Sequence, residues 1–193
     1  VFVSGTTGTL SSCSTERWGR AGLHTPAEDP SKWFVIRSGL PDADVRVHLE
    51  IKKHGWARLH LTLDAITATI RLSQLFDPFD ELVAWAREIG EGDLPIEMEI
   101  DEEGRESVLT VLRTATPDRV LLRVSRKDEN EILLEGIVAR ATLAAALKVE
   151  LRRFFAVEFD PQHWDAGSDD DQEDGHIGTK ARMLGHVWLM SGT

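Results

Sequence analysis

The sequence predicts an α+β domain: a largely antiparallel, strongly twisted sheet of six to seven strands with two helices, in the order β-β-β-α-β-β-β-β-α. Three observations carry the prediction. Apolar and polar residues alternate with period two through residues 45–72, the spacing changes to helical over residues 76–90, and a second helical stretch follows several further strands.

Order is expected to begin at Trp33–Ile36, a short apolar run closed by Ser38, Gly39 and Pro41. From Val45 the alternation is plain. Val45, Val47, Leu49 and Ile51 share one face, and Arg46, His48, Glu50 and Lys52 share the other. The next strand sets Ala57, Leu59, Leu61 and Leu63 against Trp56, Arg58, His60 and Thr62. A loop of Lys53, His54 and Gly55, with Gly55 at positive φ, pairs Lys52 with Trp56. That register places Leu49 opposite Leu59, Val47 opposite Leu61, Glu50 opposite Arg58 and His48 opposite His60; a slip of one residue would scramble both faces. A third strand, with Ile66, Ala68, Ile70 and Leu72 on one side, follows a turn at Asp64-Ala65.

The stretch FDPFDELVAWAREIG, residues 76–90, is the clearest helix. Asp77 is expected at the N-cap with Pro78 next, where a missing N–H costs nothing, and Asp80 and Glu81 sit near the positive end of the helix dipole. Phe79, Leu82, Ala86 and Ile89 form its apolar stripe, widened by Val83 and Trp85, and Gly90 supplies the stop. Phe76 is expected to pack on Leu82 or on the sheet. Ile96, Met98 and Ile100 then alternate with Glu97, Glu99 and Asp101 up to a turn at Glu103-Gly104. The runs 106–113, 119–125 and 131–138 are apolar on both faces, as strands covered on both sides would be. The second helix is expected from Thr142, as N-cap, to about Val157, with Leu143, Leu147, Leu151 and Phe154 inward and Lys148, Arg152 and Arg153 solvated.

The ends lack pattern. Residues 1–32, rich in Ser, Thr and Gly, are expected to be a poorly ordered arm, residues 33–159 a single α+β domain, and residues 160–193, with the acidic run 169–174, a disordered tail. At 193 residues and 41% apolar composition the chain supports one sizeable core. No apolar run approaches the roughly 20 residues that span a bilayer, so no membrane partner is expected. The single cysteine, Cys13, forms no internal disulfide framework and fits a reducing, cytoplasmic address. A formal net charge of −11 argues against nucleic acid, whose binding is driven by lysine and arginine, and in favour of a basic protein partner.

Two features suggest chemistry or recognition. His48 and His60, on adjacent strands, could both reach one zinc ion, but a third ligand is missing, and a solvated histidine pair is the plainer account. The stripe Glu97, Glu99 and Asp101 offers a surface for a basic ligand, and Trp56 beside Arg58 has the composition of an interface. No nucleophile elbow or phosphate loop occurs, and no cofactor is expected. The reading is therefore a non-enzymatic binding or interaction domain, with a metal-dependent protein using His48 and His60 as the alternative.

The strands WARLHLTL and ITATIRL, the helix FDPFDELVAWAREI and the segment LLEGIVARATLAAALKVELRRF together resemble small uncharacterised bacterial proteins of unknown function. The resemblance covers about residues 45–159 and implies an order of elements without implying any catalytic residue. Such proteins share their size and acidity with immunity proteins, which sequester toxins.

Overall fold

The computed structural model describes residues 42–129, 131–160 and 164. The elements run β1 (Val45–Ile51), β2 (Trp56–Leu63), β3 (Ile66–Ser73), α1 (Phe79–Glu91), β4 (Ile96–Asp101), β5 (Glu106–Arg113), β6 (Arg119–Arg126), β7 (Glu131–Ala139) and α2 (Arg140–Arg153), the last passing into one π turn at Phe154–Glu158. The α+β class and the element order are as the sequence predicts. The expected strand at Trp33–Ile36, the arm, and most of the tail lie outside the described residues.

The single sheet of six to seven strands is corrected: the described residues form two antiparallel sheets, β1-β2-β3 and β4-β5-β6-β7. On the far edge of β3 the Arg71 amide donates to the carboxylate of Glu102 at 3.1 Å instead of to another strand. Each sheet turns an apolar face inward. Leu59, Leu61 and Ile70 from the first meet Leu109, Val111, Leu122 and Val124 from the second in one continuous core, which both helices close. β7 passes so near the first sheet that a Cβ on Gly136 would lie 2.8 Å from Leu63 Cδ1.

The first hairpin has the register that its parity demands. His48 faces His60, Leu49 faces Leu59, Val47 faces Leu61 and Glu50 faces Arg58. The Lys52 amide donates to the Trp56 carbonyl at 2.7 Å, and His54 and Gly55 turn the chain at φ of 62° and 73°. Asp64 and Glu103 hold positive φ in their own turns, 52° and 59°.

Helix boundaries depart from expectation at both helices. α1 opens at Phe79 with Pro78 in the capping position and no side-chain cap; Asp77 is instead the last residue of a preceding turn, at φ 23°. Phe76 does not pack inward and is 48% exposed. α1 continues past Gly90 to Glu91, where Arg140 closes it by donating to the carbonyls of Ile89 at 2.5 Å and Gly92 at 2.6 Å. A guanidinium there also complements the negative end of the helix dipole. α2 starts at Arg140 rather than at Thr142, since β7 runs directly into it.

Phe79 is the centre of the aromatic core. Its ring lies 5.4 Å from Phe154, 5.2 Å from Phe155, 5.7 Å from Phe159 and 4.8 Å from Trp164. The packed core thus extends to Trp164, which is buried.

Candidate binding surface

Because β1, β2 and β3 bury only their apolar rows, the opposite face of the first sheet is left to its polar rows. The registers stack them as Arg46·Thr62·Thr67, His48·His60·Thr69 and Glu50·Arg58·Arg71, with Trp56 opposite Ser73 at the hairpin end. Trp56, Arg58, His48 and His60, singled out from sequence, are therefore on one surface. Glu97, Glu99 and Asp101 are on β4, in the other sheet.

One carboxylate serves most of this face. Glu50 lies 2.8 Å from Lys52, 3.2 Å from His60 Nε2 and 3.6 Å from Arg58. The bond from Lys52 holds the Glu50 carboxyl below the usual carboxylate range, against partial burial and with help from His60. The His48 and His60 rings stack with centroids 5.9 Å apart and an 18° interplanar angle. Each has Nδ1 engaged, His48 with Glu150 at 3.0 Å and His60 with the Thr69 hydroxyl at 2.9 Å. Among the described residues no group of three or more His, Cys, Asp or Glu is placed to hold a metal ion.

Arg71 completes the face. Its guanidinium lies over the Trp56 ring, 5.4 Å from the centroid, and donates to the Glu102 carbonyl at 3.0 Å. Glu102 is almost wholly buried; it also accepts from the Ser107 hydroxyl at 2.5 Å and from Arg126 at 2.9 Å. A buried carboxylate is tolerated only when paired and hydrogen-bonded, and Glu102 is both. Next to it, Ser73 donates its hydroxyl to Glu103.

At the other rim, Glu150 of α2 reaches beneath β1. It accepts the Leu49 amide at 2.6 Å and is bonded by Arg153 through Nε at 2.8 Å and Nη2 at 2.6 Å. Burial opposes ionisation of Glu150, but the bonds from Arg153 and the Leu49 amide outweigh it and lower its pKa. Glu158 takes the Ile51 amide at 2.9 Å, and Arg153 bridges Glu158 at 2.7 Å and the Leu49 carbonyl at 2.5 Å. Arg153, expected on the solvated side of its helix, thus joins helix to sheet.

Each acid of the β4 stripe has a partner within the fold, a cation in the case of Glu99. Glu99 receives Lys127 on both oxygens at 3.0 Å, Glu97 accepts from Thr110 at 3.3 Å, and Asp101 accepts the Glu103 amide at 2.8 Å. Glu106 and Glu99 in turn hold the Lys127 ammonium above the ordinary lysine range.

Sequence reasoning missed Arg71, Glu102, Glu150 and Arg153. Arg71 carried a usable signal, since it has the parity of Thr67 and Thr69 on the polar side of β3. Glu102 was hidden within a run of acids, and Glu150 within a helix whose neighbouring charges suggested solvent.

No helix of the described residues is long and apolar enough to cross a membrane. No protein-family model matches the chain, and comparison with curated proteins and with solved structures returns no match.

Proposed function

We propose that the chain is a non-enzymatic binding domain that engages a protein partner through the open face of β1, β2 and β3, around Trp56 and Arg58. One observation supports this above the others. The Arg71 guanidinium is fixed between the Trp56 ring and Glu102, so an aromatic and arginine pair, the composition favoured at interface hot spots, is held in place before any partner arrives.

A basic partner, favoured by the net charge of −11, would find its carboxylates on β4. There it would have to displace Lys127 from Glu99. The metal-dependent alternative rests on the stacked His48 and His60 and is short of a third ligand among the described residues.

Affinity capture from the source cell separates these readings. A partner weakened by Trp56→Ala and Arg58→Ala, but retained when Glu97, Glu99 and Asp101 are changed to serine, supports the face of the first sheet. The reverse pattern would move recognition to β4. Stoichiometric zinc in protein purified without a histidine tag, lost in His48→Ala, would favour the metal reading.

A further inference from the structure

We infer that the open face of the first sheet docks a short, extended acidic peptide segment of its partner. This rests on the reading of that face as the binding surface and adds the chemistry of what it receives. The face presents four cationic side chains, Arg46, Lys52, Arg58 and Arg71, and two imidazoles; Glu50 sits among them, Glu150 bonds His48 Nδ1 from α2, and Glu103 accepts from Ser73 at the Trp56 end. Asp44 and Asp64 share the corner by Arg46, Asp44 3.6 Å from its guanidinium, so the least compensated cations are those at the other end, Arg58 and Arg71, with Glu102 buried behind them. Arg58 and Arg71 stand directly opposite one another across β2 and β3, a like-charge pairing that a sheet ordinarily avoids. Their two carboxylates are imperfectly placed, Glu50 3.6 Å from Arg58 and Glu102 3.6 Å from the Nε of Arg71. Both arginines remain about half exposed, at 47% and 48%. An anion laid between them would relieve that repulsion and accept the unused N–H groups of both guanidiniums.

The geometry favours a peptide over a nucleic acid. Thr62, Thr67 and Thr69 add hydroxyls beside the cations. The Trp56 ring already carries Arg71, so that side of it is not open for a base to stack on. A long polyanion would also run beyond this patch onto a molecule of net charge −11.

The test uses the full chain and four fluorescein-labelled probes, hexaglutamate, hexaserine, hexalysine and a six-nucleotide thymidine oligomer, with anisotropy as the readout. Hexaglutamate should bind at low salt and weaken as salt rises, and the double variant Lys52→Glu, Arg58→Glu should lose at least tenfold in affinity. Circular dichroism and the His48 and His60 ring resonances verify that the variant is folded. Glu99→Lys, in the other sheet, should leave binding to the first sheet unchanged.

Equal binding by the double variant, no hexaglutamate binding, or preference for hexaserine or hexalysine would overturn the inference. Tighter binding of the thymidine oligomer would replace it with nucleic acid. The chain carries its own acidic run, so a full-length variant with Asp169, Asp170, Asp171 and Asp174 changed to Asn and Glu173 to Gln is measured in parallel. Binding seen only in that variant would assign the face to the chain's own segment and overturn docking of a partner. Should Trp56→Ala still weaken partner capture while hexaglutamate fails to bind, the peptide chemistry is wrong and the binding surface stands. If neither effect is seen, the surface itself is wrong.

Discussion

Arg71 and Glu102 are joined by backbone and side chain in both directions: the Arg71 amide donates to the Glu102 carboxylate at 3.1 Å, and the Arg71 guanidinium donates to the Glu102 carbonyl at 3.0 Å. This reciprocal pair bridges the two sheets, which no strand ladder joins among the described residues. Removing the carboxylate in Glu102→Ala leaves Arg126 and the Ser107 hydroxyl without it, and should cost about 3 kcal/mol in urea denaturation. Arg58→Ala, on the exposed face, should change stability by less than about 0.5 kcal/mol. Equal effects would mean that Glu102 does not join the sheets.

Glu150 gives the fold a pH dependence of definite sign. Its folded pKa lies below the ordinary value of 4.5, so its contribution is fully present above that pH and is lost as pH falls through the folded value. Glu150→Gln should cost about 2 kcal/mol at pH 7, from lost hydrogen bonds between charged partners. The difference from the unmodified protein should shrink below about pH 4.5. Paired denaturation curves from pH 7 to pH 3 measure it; a constant gap would contradict the assignment.

Glu81 should behave in the opposite sense. Burial, followed by the charges of Asp80 and Asp77, raises its pKa, so ionisation opposes folding as pH climbs from the unfolded value of 4.5 through the folded one. Glu81→Gln should therefore raise the midpoint of thermal unfolding at pH 7 and leave it unchanged at pH 3.

Phe79 touches four other aromatic rings, so Phe79→Ala should cost about 3–5 kcal/mol. Phe79→Leu should recover about half of that loss, because most of the apolar volume returns. Chemical denaturation of the two variants checks the order.

Gly55 and Gly104 both hold positive φ, at 73° and 96°, but only Gly55 is crowded. A Cβ there would lie 2.9 Å from the carbonyl oxygen of Trp164, whereas nothing lies within 4 Å of one at Gly104. Gly104→Ala should cost about 1 kcal/mol, from backbone strain alone. Gly55→Ala should cost at least twice as much, and would loosen Trp164, visible as a red shift of tryptophan emission.

The first hairpin was legible because parity leaves it one solution: only the pairing of Leu49 with Leu59 keeps both apolar rows on one side. β4, with its alternating acids, was equally plain. The break into two sheets was not, since alternation along a strand states which face is buried and nothing about its lateral neighbour. Here the neighbour on the far edge of β3 is a carboxylate, and Glu102 has no local mark distinguishing it from Glu103. Helix starts were misplaced for a related reason. Asp77 has the chemistry of a cap, but tertiary packing set the first turn at Phe79, and Arg140 caps α1 from 48 residues beyond Gly92. The part of the candidate surface on β1 and β2, including Trp56, Arg58, His48 and His60, followed from the hairpin; Arg71 needed the third strand's register and its contact with Trp56.

The bonds from α2 to β1 also limit how another chain can approach. Among the described residues β1 is an outer strand of its sheet, and such a strand is a template on which a foreign strand can zip through main-chain bonds, in complexes and in aggregates alike. Glu150, Glu158 and Arg153 already occupy the outward Leu49 and Ile51 amides and the Leu49 carbonyl. Strand addition along this end of β1 is thereby obstructed. A partner that meets the sheet at this end is left to lie on its face and read its side chains, and a chain stripped of these three residues would be expected to pair more readily with copies of itself.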